Sequence, residues 1–433
     1  MSQTFVVLDD DPTGTQLVCD VPVLLNVFDA DARRQAFSAN PKAVHVVTNS
    51  RAYKPQDVTR LITDTLRALK DVADGEPVIL RGDSTLRAHL LEEYVAVCDV
   101  LHDGRRVPLT LAPALPTAGR TTVNTVHLLT REGTTLPLHA TEYATDGVFT
   151  YTDAHLLRYA AERTNGFFAP ENGAGLRLAE LRDGGPDAVA AVLARLDAAP
   201  RPGVFAPDAE TEQDLAIIAA GVAQAHKAGV DTVVRAAPAY AALAAGTRAD
   251  TLLPLRPANG LIVMVGSYVP TTTRQLAHLR DHTDVDLIVA DVETLASANP
   301  DTEIRRVADA IDVALHTQSL AVVATPRERP KTTISLDAGE QIARHFASVL
   351  TRVTGPYDTV IAKGGITSTM TAEVGLNAAF AHVVGPVLTG VANWQITTPG
   401  GEVNYLVMPG NVGDDTYLTR LVTGLHSGPT PIG

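Results

Sequence analysis

The chain has 433 residues, a length that suits two domains better than one. Hydrophobic residues make up 45% and charged residues 19%, an ordinary globular balance, and the formal net charge is -14. That charge repels phosphate backbones and anionic bilayers, which disfavours nucleic acid and membrane surfaces as partners but leaves room for a local basic pocket. Cys19 and Cys98 are the only cysteines and make no CxxC spacing. Together with the lack of a basic leader before Phe5–Leu8 and of any apolar run near the roughly 20 residues of a membrane helix, they predict a reduced, cytoplasmic setting.

Short apolar runs alternate with longer amphipathic stretches. Thr4–Leu8, Val21–Val27, Ala43–Val47, Pro77–Leu80 and Val107–Leu111 read as strands, and Gln56–Leu69 and Leu86–Leu101 as helices between them. Val21–Val27 follows the first strand too closely for a helical crossover, so it is expected to be antiparallel or irregular. Helical patterns follow at Asp187–Leu196, Glu210–Ala228 and Pro238–Thr247, with a strand at Gly203–Ala206. The pattern breaks around Ala249–Gly260, where Pro254, Pro257 and Gly260 cluster, and the domain boundary is placed there. A second series has strands at Leu261–Val265, Asp286–Val289, Leu320–Ala324, Thr359–Ala362 and Tyr405–Met408. Its helices fall at Thr272–Asp281, Glu303–His316, Ala338–Val353 and Ser368–Val374. The fold class is therefore α/β, with two domains (residues 1–250 and 251–433), each a mostly parallel sheet flanked by helices.

Three groups of residues could carry chemistry. The first is Asp9-Asp10-Asp11-Pro12-Thr13-Gly14, at the C-terminal end of a strand, where open α/β sheets place their ligands. Crowded carboxylates repel, so a cation, hydrogen bonds or a substrate hydroxyl must hold them; the competing reading is a solvated turn. The second is Arg81-Gly82-Asp83-Ser84-Thr85-Leu86-Arg87, after a strand and opening a helix that Ser84 or Thr85 could cap. Arg87 is expected in the first helical turn, able to fork onto a carboxylate. Ser50 and Arg51, after the strand Ala43–Val47, add a second guanidinium to the same edge.

The third group lies in the C-terminal half: Gly266-Ser267, Lys363-Gly364-Gly365-Ile366-Thr367 and Pro409-Gly410-Asn411-Val412-Gly413, each following a strand. Glycines let the backbone come close to a ligand, and free N–H groups with hydroxyls cradle phosphate. One such turn is a common structural cap, but three in one domain point to a nucleotide. There is no GxxxxGK[ST], no kinase HRD/DFG set, no dinucleotide GxGxxG and no zinc motif. The 13 histidines are scattered, and His45, His89 and His127 read as structural rather than essential.

At these residues the chain resembles the four-carbon acid sugar kinase family. Asp10-Asp11-Pro12-Thr13-Gly14 is similar to its N-terminal Asp-Asp-x-Thr-Gly signature, and the string from Asp83 to Arg87 to its Asp-Ser-Thr-Leu-Arg motif. The three C-terminal strings resemble its nucleotide motifs, in the expected order over nearly the whole chain. Departures are Ala88 where Gly is common, the extra acid Asp9, and Thr15-Gln16 after Gly14. The resemblance implies a sugar-acid domain followed by an ATP domain, Mg2+ on the phosphates, and phosphorylation of the terminal hydroxyl of acids such as threonate, erythronate or their 3-oxo forms.

Under that reading Asp10, Asp11 and Asp83 are the catalytic candidates, one of them accepting the hydroxyl proton; the sequence leaves open which. Ser50, Arg51, Arg81, Ser84 and Arg87 would bind the acid. Ser267, Lys363, Gly364, Gly365, Ile366, Thr367, Gly410, Asn411 and Gly413 would bind ATP. Two alternatives are a silent sugar-acid sensor of the same fold and a nicotinamide-dependent dehydrogenase, the latter lacking its dinucleotide fingerprint. A homodimer is the base-rate expectation.

Overall fold

The computed structural model describes residues 3–145, 148–327 and 336–426. Strands β1 (Phe5–Asp9), β2 (Val21–Leu24), β3 (Ala43–Val47), β4 (Val78–Arg81) and β5 (Leu109–Ala112) come first. A small antiparallel sheet follows, made of β6 (Arg120–Val123), β7 (Val126–Arg131) and β8 (Thr134–Pro137). Then come β9 (Ala174–Leu176), β10 (Val204–Pro207) and β11 (Val233–Ala236). The later strands are β12 (Leu261–Val265), β13 (Leu287–Val289), β14 (Leu320–Ala324), β15 (Thr359–Lys363), β16 (Phe380–Leu388), β17 (Val391–Thr398) and β18 (Gly401–Met408).

The chain forms two compact units, Met1–Asp10 with Arg33–Arg248, and Asp11–Ala32 with Ala249–Gly433. The later division between the units falls between Arg248 and Ala249. The segment Asp11–Ala32, expected in the first domain, belongs to the second unit instead. The cause is pairing: β2 lies antiparallel on β16, with Leu24 opposite Phe380 and Val21 opposite Val383. The buried Trp394 indole N–H also donates to Thr15 Oγ1 at 2.9 Å. β2 is thus an antiparallel strand, one of the two outcomes its closeness to β1 left open, but its partner lies far along the chain.

In the first unit the strand order is β3-β1-β4-β11-β5-β10-β9, all parallel. Near-continuous apolar strands such as Val78–Arg81 and Val204–Pro207 are buried, as a sheet covered on both faces requires. The helix Pro55–Ala73 shows how cover is built. Pro55 opens it at a position whose N–H has no helical acceptor, and Val58, Ile62, Leu66 and Leu69 bury one stripe. One predicted helix starts later than expected: it spans Leu90–Leu101, not Leu86–Leu101. Leu86 has φ +67°, a left-handed conformation that cannot lie within a right-handed helix.

In the second unit β13-β14-β12-β15-β18 run parallel, and β17, β16 and β2 continue the sheet in antiparallel fashion. Leu276 and Leu279 of the helix Pro270–His282 and Leu418, Leu421 and Val422 of Tyr417–His426 pack with β12 and β18 into one apolar core. Parallel pairing places the loops after β12, β15 and β18 side by side, because Val265, Lys363 and Met408 share one register level.

Candidate functional site

The first unit gathers its charged residues on one sheet rim. Asp9 stands opposite Arg81 and Val47 in the β1 register, and Ala236 stands opposite Arg81. The C-terminal ends of β3, β1, β4 and β11 therefore present Ser50 and Arg51, Asp9 and Asp10, Arg81 to Arg87, and Arg235 together. Parallel strands make this inevitable once the residues lie at matching ends.

These side chains form a mesh. Asp9 is buried and bonds His45 Nδ1 at 2.8 Å and Arg81 Nε at 2.6 Å. Arg81 reaches on to Asp10 at 3.1 Å, and Arg51 approaches Asp10 at 3.3 Å and Asp83 at 3.6 Å. Arg87 Nε donates to Asp83 at 2.5 Å. Arg235 pairs with Glu93 and approaches Asp10 at 3.4 Å, while Ser50 Oγ donates to Glu93 at 2.7 Å. Arg120 donates to Ser84 Oγ at 3.0 Å.

Five guanidiniums (Arg51, Arg81, Arg87, Arg120 and Arg235) thus share this rim with four carboxylates (Asp9, Asp10, Asp83 and Glu93). The titration directions follow. Burial opposes the charge on Asp83, yet Arg87 and Arg51 outweigh it and hold the carboxyl far below its usual range. Asp9 is likewise lowered against burial, by Arg81 and His45. Burial pushes Arg235 down to about 10 and lowers Arg51, despite the nearby carboxylates. The rim carries one more guanidinium than carboxylates, and burial makes Arg235 and Arg51 costlier as cations even with their acidic partners in place.

The loop between β4 and the helix Leu90–Leu101 is held by its carbonyls. Tyr151 OH donates to Thr85 O at 3.0 Å and Tyr159 OH to Leu86 O at 2.5 Å, which fixes Leu86 in its left-handed state. His127 Nε2 lies 2.9 Å from Ser84 O and its Nδ1 3.0 Å from Thr122 Oγ1. Burial pushes His127 down to about 4, so the neutral ring donates from Nε2 and accepts at Nδ1. Gly82 lets Arg235 cross: a Cβ there would lie 2.8 Å from the Arg235 Cζ. Gly82, Asp83, Leu86, Leu111, Tyr159 and Arg235 line a small depression.

Two placements differ from the sequence expectation. Arg87 lies in this loop and not in a helical turn, and the residue preceding the helix is His89, so neither Ser84 nor Thr85 caps it. Asp10 and Asp83 meet the same Arg51, whereas Asp11 belongs to the second unit. There it caps the short helix Pro12–Leu17, taking Thr13 N at 2.9 Å and Thr13 Oγ1 at 2.5 Å. Its Oδ2 is 3.2 Å from where a Cβ on Gly365 would stand. Arg235, Glu93 and Arg120 were not foreseen. Arg235 had a signal, a cation inside the apolar run Val233–Ala236.

The second unit brings its three loops together. Lys363, at the end of β15, is fully buried, and its Nζ donates to Pro409 O at 3.1 Å and Gly410 O at 3.3 Å. Burial, with Arg327 second, pushes its ammonium down to about 7. Gly364 has φ +118°, and a Cβ there would lie 3.0 Å from that of Ser267 and 3.2 Å from Thr367 Oγ1. Gly410 likewise abuts Ser267, and Thr272 Oγ1 holds Gly410 O at 2.8 Å. Gly365 opens the helix Gly365–Met370, which continues as a π-turn through Gly375. Ile366, Asn411 and Gly413 are exposed, and Thr367 is buried. A bare backbone rim carrying hydroxyls and a buried ammonium is suited to phosphate groups.

Residues 5–243 match the model of a sugar-binding N-terminal domain, and residues 262–418 that of a nucleotide-binding C-terminal domain. The chain belongs to the family with this architecture, that of the four-carbon acid sugar kinases. Among solved structures, protein HI1011 of Haemophilus influenzae is similar over 97% of this chain and 99% of its own, with 18% identity and a TM-score of 0.65. A Salmonella typhimurium LT2 protein described as a candidate tRNA synthase is similar over 96% of this chain and 98% of its own, with 20% identity and a TM-score of 0.68. At such identities the likeness is one of fold. No curated protein matches the sequence. No helix among the described residues is long and apolar enough to cross a membrane.

Proposed function

We propose that the protein is an ATP-dependent kinase that phosphorylates a hydroxyl of a small sugar acid, with four-carbon acids as the first candidates. The observation that carries this reading is the charge excess on the rim of the sugar-binding unit. In a chain of net charge -14, five guanidiniums converge there on four carboxylates, and Arg235 and Arg51 are destabilised as cations by burial. A substrate carboxylate supplies the missing negative charge, and a guanidinium forks onto it with charge-assisted bonds. Asp10 and Asp83, already spanned by Arg51, take the sugar hydroxyls.

The nucleotide-binding unit would hold ATP on Ser267, the strip from Lys363 to Thr367, and the loop from Gly410 to Gly413. Magnesium needs only one or two protein carboxylates where phosphates supply other ligands. Asp11, beside Gly365, fits that requirement and is the residue assigned to it. The metal would neutralise charge on the transferring phosphoryl group, and positioning supplies most of the remaining catalysis. Asp83, held so far below its usual range, is a weak proton acceptor and serves to orient. Asp10 is the candidate base.

The test is a panel of four-carbon acids, including threonate, erythronate and their 3-oxo forms, incubated with ATP and Mg2+ while ADP release is followed. Turnover that depends on one acid supports the kinase. Tight binding of an acid with no ADP release across the panel would favour a sensor, and reduction of a nicotinamide cofactor would favour a dehydrogenase.

A further inference from the structure

We infer that Arg327 is a polyphosphate-binding residue of the second unit, contacting the phosphate chain of a nucleoside di- or triphosphate alongside Lys363. The inference rests on the reading that this unit binds a nucleotide, and adds a residue from a fourth loop that no sequence motif marks.

The topology puts Arg327 beside the three glycine-rich loops. β14 neighbours β12 on the side away from β15, Ala324 pairs with Val265, and Thr325 N donates to Val265 O at 3.1 Å. The chain leaving β14 therefore runs past the loop that carries Ser267. One Arg327 terminal nitrogen donates to the Ser267 carbonyl, and the guanidinium stands 5.5 Å from the centre of the Tyr268 ring. These contacts fix its plane and direction.

What they leave unmet is the rest of the fork. Arg327 Nε and its other terminal nitrogen are shielded from solvent yet find no hydrogen-bond partner among the described residues. No carboxylate among the described residues pairs with Arg327 or with Lys363. Lys363 feels Arg327 as a like charge, which puts both cations in one neighbourhood. A buried ammonium and a largely shielded guanidinium on one rim, neither with a counter-ion among the described residues, are costly without a ligand. A ligand carrying several negative charges on oxygens relieves both at once. A planar fork with free N–H groups matches phosphate oxygens. The Ser267 contact aims that fork at the same rim where Gly364 and Gly410 clear space for a ligand.

Calorimetry with ADP, with adenosine as the ligand lacking phosphate, tests this on the full chain. Arg327→Met should weaken ADP binding by about tenfold or more, the scale of a lost hydrogen bond to a charged group, and change adenosine binding by less than about twofold. Arg327→Gln can keep the bond to the Ser267 carbonyl while losing the charge. It should show the same ADP loss, and covers the case in which the Met variant does not fold. Wild-type ADP affinity in a folded Arg327→Met or Arg327→Gln protein overturns the inference and leaves the nucleotide reading intact. An equal loss for ADP and adenosine overturns it too, since the residue would then act on the fold of the rim. A wild-type protein that does not bind ADP overturns both readings.

Discussion

Replacing Arg235 by Met should unmask the charge balance of the sugar-binding unit. The side chain is 5% exposed, and its partners Glu93 and Asp10 are 3% and 2% exposed. At the 3.4 Å separation from Asp10, an effective dielectric near 20 gives an attraction of roughly 5 kcal/mol. Most of that is offset by the desolvation of both ions, so the intact pair contributes little net stability. Removing one partner is a different matter, because Glu93 and part of Asp10 are left buried without their cation. The expected loss is about 3–5 kcal/mol, a large share of the roughly 5–15 kcal/mol that holds a typical domain. Urea unfolding followed by circular dichroism at pH 7 measures it. Adding Glu93→Gln to the variant should restore part of the loss, since the stranded charge is then gone; neighbouring sites such as these are not additive. Two results would refute the reasoning: a single variant within about 1 kcal/mol of wild type, or a double variant that is worse by the sum of the singles.

Three further outcomes follow from the geometry. Gly364→Ala should lower affinity for a nonhydrolysable ATP analogue with the fold intact by circular dichroism, because φ +118° and a Cβ 3.0 Å from Ser267 leave no room for a side chain; unchanged affinity would remove Gly364 from the site. Lys363, lowered to about 7 by burial, should be raised by bound phosphate, so nucleotide binding takes up a proton and weakens as pH rises above 7. Calorimetry at pH 8 in buffers of different ionisation enthalpy should find that uptake in wild type and not in Lys363→Met. Asp83 is depressed in the folded protein by Arg87 and Arg51 against the effect of burial, so its stabilisation is full above the unfolded value near 4 and is lost as pH falls further. Asp83→Asn should flatten part of the acid loss of stability below about pH 4 and raise the KM for the acid substrate, and an unaltered acid profile would show that the mesh does not depend on it.

The sequence was legible where local pattern and chain neighbours decide the outcome. The apolar runs Leu261–Val265 and Leu320–Ala324 are strands with those same ends, since buried parallel strands are marked by composition alone. It was less legible where a distant partner decides. β2 looks like any short apolar strand, and only Phe380–Leu388, more than 350 residues later, gives it an address. β16 and β17 went unforeseen because Gly385, Pro386 and two register shifts break their alternation. The hairpin joining β7 and β8 did carry a signal, Glu132-Gly133, both at positive φ, as a two-residue turn demands. The late start of the helix at Leu90 was hidden because nothing in Asp83–Arg87 forbids a helix locally. Tyrosines from two later segments, Tyr151 and Tyr159, hold its carbonyls in another conformation.

The two proposed ligand sites reach net positive charge by different routes, and the difference suits the ligands proposed for them. In the first unit the excess is a single charge carried on a mesh where three guanidiniums bridge acids: Arg81 joins Asp9 and Asp10, Arg51 joins Asp10 and Asp83, and Arg235 joins Glu93 and Asp10. A mesh of that kind has little freedom, and a small acid with one carboxylate and several hydroxyls needs its groups fixed relative to one another more than it needs attraction. In the second unit Lys363 and Arg327 have no acidic partners among the described residues and lean on carbonyls, namely Pro409, Gly410 and Ser267. Carbonyls orient a cation without cancelling it, so the field stays available to a ligand with several charges. On the proposed reading, a bound polyphosphate would offset the like charges of Lys363 and Arg327. On this basis the second unit should gain more stability from its ligand than the first, because the ligand there supplies charge that the protein itself withholds.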